Sequence, residues 1–550
     1  MGWRVEPEEM VLRLQAAVDA LAGEAPAPGR RFLVVQIDGL SRPVLFRALA
    51  EGRMPFLQRL LARHGFQFRA TRAGLPTSTP AFQMAAMYGV RPDIPGFHYH
   101  DKRRGTDVWF PRAGDAAHVE ASQAAGRPGI LAGGSAYGCV FTGGAANNLF
   151  TATMLKRPSG GSLRRLVSAF VVLGWVVAKG LVRTLLELGR ALRHALGGQR
   201  DWKWVAIKIG MSFWIHEFFT LAVARDLAAG TRAVYVNFLG YDVMAHAYGP
   251  RHRRAMRSLR QVDRSLHRFW RIVRRRPDLA YDLYVLSDHG QIACRPYAEV
   301  TGLPLERRLF QAFFDPALQV GQRLPGAPSL RRGLRAFRTH KTPGLFQRFV
   351  NALEEDFPGL LGETPEVKER DGIRVVSAGP NAFVYFLDQR EPLGLEEIDA
   401  RFPGLADRMS RSPGLGFLLA RSACGPICLW RGRRFRLARG QAGPFAGRED
   451  LPRLLGDLAD LLAMPSAGDL ILYGEGAPEG DVSFIEEVGA HAGPAPEEMQ
   501  TFLIAPPGVR VPALRHPVDL YPHFLAYQET PEASHARDAV HAAEPSRTRG

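Results

Sequence analysis

The sequence predicts an α/β fold, and three observations predict it. Short apolar runs rich in β-branched and aromatic residues recur along the chain: Phe32–Ile37, Ala233–Leu239 and Tyr281–Val285. Each is followed within a few residues by an Asp, at Asp38, Asp242 and Asp288. Segments of helical period separate the runs. The clearest is Arg251–Arg276, with Met256, Leu259, Val262, Leu266, Phe269 and Ile272 on one stripe. In open α/β sheets ligands sit at the carboxyl ends of the strands, which is where these acids fall.

Taken in order, Met1–Gly23 places Met10, Val11, Leu14, Val18 and Leu21 at helical spacing. It carries acids and does not read as a secretory signal, so the cytoplasmic side is expected. A Pro/Gly/Ala-rich linker follows, which makes 1–30 an N-terminal helix and linker. The first core segment is 31–160. Phe32–Ile37 reads as its first strand and Pro43–His64 as helical. Thr77, Ser78 and Thr79 then precede a good helical run, Ala81–Met87. One hydroxyl suffices to cap a helix. Three exceed that need, and a helix N-terminus also favours anions. Tyr137–Phe141 reads as a strand entering the loop Thr142–Ala145, whose glycines fit no phosphate-loop spacing and read as a plain turn.

Residues 161–230 read as a basic amphipathic helical insertion. Ala169–Ala178 is almost wholly apolar but shorter than the roughly 20 residues a membrane-spanning helix needs. Arg164, Arg165, Lys179, Arg183, Trp202 and Trp204 lie around it. Two readings stand: peripheral membrane contact through 163–204, or a helical hairpin packed on the domain or in a homodimer. The second core segment, 231–300, holds Asp242 with His246, and then Leu286-Ser287-Asp288-His289-Gly290. Residues 301–460 read as a smaller α+β lobe, with strands at Phe383–Leu387 and Phe417–Arg421 and a hairpin around Trp430–Leu437. The third core segment, 461–527, contributes strands at Asp469–Tyr473 and Thr501–Ile504, with His491 between them. The tail, 528–550, is polar and reads as disordered.

The chain of 550 residues carries a net charge of +17, mostly from Arg. The charge is spread out, so no nucleic-acid-binding domain is evident; a membrane surface, an acidic substrate or solvated faces account for it. The four cysteines form no disulfide framework and no zinc spacing, which favours a reducing compartment. The expected location is cytoplasmic, peripheral on the inner membrane face if 163–204 is interfacial.

The acids and imidazoles at the strand ends form one set: Asp38, Asp242, His246, Asp288, His289 and His491. Three Asp and three His suit two divalent cations of borderline softness, zinc above all. Two metals about 4 Å apart activate a hydroxyl that is otherwise a poor nucleophile and hold the charge of an in-line phosphoryl displacement. His98, His100, His216 and His252 read as ordinary structural histidines.

The chain here resembles the alkaline phosphatase superfamily, in its type I phosphodiesterase/nucleotide pyrophosphatase branch. The matching pieces are Val35-Gln36-Ile37-Asp38-Gly39, Pro76-Thr77-Ser78-Thr79 with Met87-Tyr88-Gly89-Val90, Asn237-Phe238-Leu239-Gly240-Tyr241-Asp242 with His246, Ser287-Asp288-His289-Gly290 and Gly489-Ala490-His491-Ala492-Gly493. The resemblance implies a three-layer α/β/α core sheet. It implies that Asp242, His246 and His491 hold one metal, and that Asp38, Asp288 and His289 hold the other together with the nucleophile. In the family the nucleophilic Thr lies ten residues before the Gly of a Thr-Gly-like pair; ten before Gly89 is Thr79. The branch usually continues Phe-Pro-Asn, its Asn contacting a phosphoryl oxygen. Here the chain reads Pro80-Ala81-Phe82-Gln83, which leaves Gln83 as the stand-in. The last motif is Gly-Ala-His-Ala-Gly where Gly-Ser-His-Gly is usual, and the sulfatase Cys-x-Pro-x-Arg signature is absent. The implied activity is metal-dependent hydrolysis of a phosphate ester, a diester by branch. The alternatives are a phospho-group transferase acting on lipid or sugar, and a membrane-associated non-catalytic scaffold on the same fold.

Overall fold

A computed structural model of the chain describes residues 29–148, 215–314 and 369–528. Nearly all of the N-terminal helix and linker, the amphipathic segment 163–204 and the polar tail lie outside the described residues.

Six strands form the central sheet, in the spatial order Gln67–Arg72, Gln500–Ala505, Tyr281–Leu286, Arg31–Ile37, Ala233–Phe238, Ser135–Tyr137. Arg31–Ile37 lies between two parallel partners, with Val35 beside Val236 on one side and Val285 on the other. Ser135–Tyr137 extends the parallel set. Gln500–Ala505 runs antiparallel to Tyr281–Leu286 and to the edge strand Gln67–Arg72. Side chains alternate across a strand. Leu33, Val35 and Ile37 pack under helices Arg42–Ala50, Pro55–Arg63, His216–Ala229, Gly240–Tyr248 and Arg253–Arg275. Phe32 and Val34 face the other way, toward helices Thr79–Tyr88, Ala113–Gln123 and Leu520–Leu525. Both faces are covered, which is why the central strands read as unbroken apolar runs. The expected three layers are present.

Some elements differ from the sequence reading. The span Pro43–His64 is two helices, because Gly52 turns the chain at φ +61° and Pro55 starts the next helix. The strand expected over Tyr137–Phe141 is Ser135–Tyr137, and it ends at Gly138, which has φ +67°. The Thr142–Ala145 loop is a turn, as read. Its donors are taken by the protein's own carboxylate: Glu120 accepts from the Thr142 amide (2.7 Å), the Thr142 hydroxyl (2.7 Å) and the Gly143 amide (3.2 Å).

The lobe is a seven-stranded antiparallel sheet, ordered Glu369–Arg370, Ile373–Ser377, Asn381–Phe386, Leu470–Tyr473, Phe417–Ala420, Ile427–Trp430, Arg433–Arg436. Leu470–Tyr473 sits at its centre, so the lobe runs past residue 460 and its sheet closes only when the chain returns. Its inner face shares an apolar core with the Thr79–Tyr88 helix. A buried ion pair pins the two parts together: Lys102 Nζ lies 3.1 Å from Asp469, which also accepts from the Phe386 (2.6 Å) and Leu393 (2.7 Å) amides. Among the described residues no helix is long and apolar enough to cross a membrane.

Candidate active site

Three neighbouring parallel strands deliver the acids. Asp38 directly follows Arg31–Ile37, and Asp288 follows Tyr281–Leu286 after one residue. Asp242 lies in the first turn of helix Gly240–Tyr248, which opens where Ala233–Phe238 ends. His246 is one helical turn on, on the same face. His491 comes from the turn after Gly489–Ala490, a two-residue strand paired antiparallel with Ile292–Ala293 just beyond Gly290. Gly39 permits the close approach. Its φ is +68°, and a Cβ there would lie 2.5 Å from Asp242 Oδ1.

Thr79 opens the ten-residue helix Thr79–Tyr88, whose residues are all buried. Its Oγ1 lies 3.3 Å from Asp38 Oδ1 and 3.1 Å from His289 Nε2. His289 Nε2 is in turn 3.5 Å from Asp38 Oδ1 and 3.4 Å from Asp288 Oδ2. On the far side Asp242 Oδ2 is 3.3 Å from His246 Nε2, and Asp242 Oδ1 is 3.9 Å from His491 Nε2. The His289 and His491 rings stack between the two groups, with centroids 3.8 Å apart and 19° between planes. Two trios present mutually close ligand atoms: Asp38, Asp288 and His289; and Asp242, His289 and His491. His289 belongs to both, and His246 stands beside the second through Asp242.

The donor set fits divalent cations. Each imidazole has its Nδ1 against an acceptor: His246 against Glu487 Oε2 (2.7 Å) and the Gly489 carbonyl (2.8 Å), His289 against the Gly290 carbonyl (3.1 Å), His491 against the Thr77 carbonyl (2.7 Å). A proton held at Nδ1 leaves each Nε2 lone pair turned inward, the usual arrangement behind a metal-bound histidine. Asp288 Oδ2 is buried and has no hydrogen-bond partner. Burial, with Asp288 and Asp242 close by, holds the Asp38 carboxyl well above the usual carboxylate range. Burial raises Asp288 as well. Burial pushes Asp242 the same way, but His246 and His491 outweigh it and its carboxyl falls below the usual range. His246, although burial opposes its charge, is raised well above its ordinary value by Asp242 and Glu487. Buried carboxylates crowded this way are stable only when neutralised.

Gln83 is corrected. Its amide nitrogen donates to Gln36 Oε1 (3.3 Å), and its oxygen accepts from the Val140 amide (2.7 Å). It lies a full turn deeper than Thr79 and ties the helix to the loop behind it, so both ends of its amide are engaged away from the site. Thr77 and Ser78 are not at the cluster in the way Thr79 is. The Thr77 hydroxyl is held by Glu498 (2.8 Å), and Ser78 Oγ is buried without a partner. His98 and His100 face Asp107, His216 bonds Ser265, and His252 caps Arg253–Arg275, as structural histidines do.

Several neighbours carry no strong sequence signal. Asn237 donates to Asp38 Oδ2 (2.6 Å), and Gln291 donates to Asp242 Oδ1. Glu487 orients His246. Asn237 opens one of the matching pieces and Gln291 directly follows another, and those positions are the one signal that points to them.

Comparison with known proteins places this geometry. Residues 32–307, half of the chain, match the family described as type I phosphodiesterase / nucleotide pyrophosphatase. That span holds every cluster residue except His491. No curated protein matches the sequence. The chain is similar to solved structures of phosphonoacetate hydrolase from Sinorhizobium meliloti 1021. The complex with phosphonoformate has 14% identity over 91% of this chain and 96% of that chain, with a TM-score of 0.45. The complex with phosphonoacetate has the same identity and coverage (14%, 91% and 96%), with a TM-score of 0.44. On the family match, the chain belongs to the type I phosphodiesterase/nucleotide pyrophosphatase family of metal-dependent phosphoester hydrolases.

Proposed function

We propose that this enzyme hydrolyses phosphoric diesters, with Thr79 as nucleophile and two divalent cations, zinc by ligand chemistry. The observation that carries the reading is Thr79 Oγ1, at the start of a buried helix and within 3.3 Å of Asp38 and 3.1 Å of His289. Asp38, Asp288 and His289 would hold one cation and Asp242, His246 and His491 the other; when bound, the pair supplies the charge that acidifies the hydroxyl and offsets the phosphoryl oxygens. Thr79 Oγ1 donates to Asp38 Oδ1, which holds the hydroxyl against the acids that would bind the cation; on attack its proton would end on the leaving oxygen, which departs as the alcohol. The helix N-terminus lies beside the attacked phosphorus and favours its negative charge. Attack yields phospho-Thr79 and frees one alcohol; water then displaces the phosphoryl group from Thr79 Oγ1. Diester preference rests on the family match.

The test compares bis(p-nitrophenyl) phosphate with p-nitrophenyl phosphate, before and after chelation and zinc return. Diester turnover that depends on zinc is expected. Thr79→Ala should abolish turnover while the protein still holds about two zinc ions. Retained turnover in T79A overturns the nucleophile, and a faster monoester overturns the substrate class.

A further inference from the structure

The sheet does not by itself assemble this site. Asp38 and Asp288 sit on strand ends, but Thr79 opens a helix after the loop that ends at Ser78, and His491 sits in the loop after Gly489–Ala490, outside the central sheet. One buried residue touches all of these loops. Glu498, in the short helix Pro496–Met499, is fully buried. Its Oε2 accepts from the Thr77 hydroxyl (2.8 Å), the Ala492 amide (2.8 Å) and the Gly493 amide (2.6 Å). Its main-chain carbonyl accepts from the Gly290 amide (2.7 Å). Thr77 is two residues from Thr79, Ala492 follows His491, and Gly290 follows His289. The Thr77 carbonyl completes the circuit by accepting from His491 Nδ1 at 2.7 Å.

The backbone shows that this restraint is needed. Ala492 has φ +129°, a conformation that an L residue holds only when its surroundings fix it. Its amide is anchored on Glu498 Oε2 and, at 3.0 Å, on Thr77 Oγ1. Gly493 has no room for a side chain, since a Cβ there would lie 2.9 Å from Glu475 Oε2 and 3.1 Å from Glu498 Oε1. Three donors converge on one oxygen of Glu498, and losing it leaves those buried groups unpaired.

We infer that Glu498 is a positioning residue for the reaction: it fixes His491 Nε2, and through Thr77 the Thr79 loop, against the strand-end acids. The inference rests on the reading of Thr79 as nucleophile and His491 as ligand. Glu498 touches none of the reacting atoms. It acts on the distance between two loops, and a misplacement of about 1 Å in such a site costs about 100-fold in rate.

The experiment compares Glu498→Ala, Glu498→Gln, Thr77→Val and Thr79→Ala in the full chain. It measures kcat and KM on bis(p-nitrophenyl) phosphate, and zinc affinity by competition with a chromophoric chelator. E498A should lower kcat by about 100-fold with KM nearly unchanged. It should also weaken zinc binding by about 10–100-fold, as loss of an outer-sphere partner does. E498Q should recover most of both, because the amide oxygen can still accept the three donors. T77V, which removes one donor, should fall between. Wild-type kcat and zinc affinity in E498A overturn the inference, and so does an E498Q as impaired as E498A. Should E498A fail to fold, E498Q and T77V decide: wild-type values in T77V, or an E498Q without activity in a folded chain, overturn it. T79A separates the two readings. Full turnover there sinks the nucleophile assignment whatever Glu498 does, whereas an inactive T79A beside an unaffected E498A sinks only the role of Glu498.

Discussion

The two halves of the site are built by different means. The half at Asp38, Asp288 and His289 rests on adjacent parallel strands, and its side chains are at most 2% exposed. The half at Asp242, His246 and His491 rests on a helix and a loop, and its side chains are 11–16% exposed. The first half gathers two carboxylates around one imidazole, and burial pushes both carboxyls up. The second gathers two imidazoles around one carboxylate, and the imidazoles pull that carboxyl down. The strand-end half needs a cation for its charge, whereas the loop half needs outer partners for its shape.

Removing metal should break this balance most. A folded carboxyl held above its unfolded value loses stability as pH rises past the ordinary carboxylate range. Asp38, Asp288 and His246, all raised, act in that direction and His491, lowered, acts against it; Asp242, whose carboxyl is lowered, changes nothing between pH 5 and 8. The metal-free protein should therefore melt earlier at pH 8 than at pH 5. The metal-loaded protein, whose ligands must be deprotonated, should not. With zinc at a thousandfold excess over its Kd the gap should approach about 4 kcal/mol for each ion bound. Thermal unfolding at the two pH values checks it, and a gap that narrows with pH contradicts the raised carboxyls of Asp38 and Asp288.

Gly39→Ala should be next, because Gly39 is where the halves touch. The new Cβ would displace Asp242 while Asp38 stays on its strand. About a 100-fold loss in kcat is expected, with about 1–2 kcal/mol of stability lost to the left-handed backbone that Gly39 holds. Glu487→Gln should act on the loop half alone. It leaves His246 a weaker acceptor at Nδ1 and should reduce zinc affinity by about 10–100-fold at one of two sites. Competition with a chromophoric chelator reads this, and wild-type zinc affinity in E487Q would remove Glu487 from the support of the loop half.

The smallest effect tests the frame around the nucleophile loop. His516 packs on Gly74, its Nδ1 accepts from the Val518 amide (3.2 Å), and burial lowers its pKa from 6.5 to about 4. The folded protein favours the neutral ring, so stability present above pH 6.5 is lost as pH falls toward about 4. His516→Asn keeps an acceptor and removes the titration. Its acid limb should be shallower by about 1 kcal/mol at pH 5, allowing for partial exposure.

The same contrast explains what the sequence disclosed. Asp38 and Asp288 are legible because each ends an apolar run, and strand chemistry is local. Thr79 is legible as one of three hydroxyls before a helix. Gln83 stands out in the sequence because it lies one turn from Thr79, whereas the partners of its amide, Gln36 and Val140, lie far away in sequence. Glu487 and Glu498 meet His246 and Thr77 across 241 and 421 residues of chain, beyond any local pattern. The edge strand Gln67–Arg72 is half-exposed and polar, so it lacks the apolar signature of its neighbours. Leu470–Tyr473 looks like any core strand, and nothing in its own residues says which sheet it completes.

The His289–His491 stack has a consequence for how the site fills. One ring is anchored to a strand end and the other to a loop, and their faces are in contact at 3.8 Å. Neither can rotate to admit or release an ion without the other moving. The two positions should therefore load and empty as a cooperative pair, with chains holding a single ion scarce at every degree of saturation. Native mass spectrometry during a zinc titration would then show two main species, empty and full. The supply of metal would set how many molecules are active, and not how active each one is.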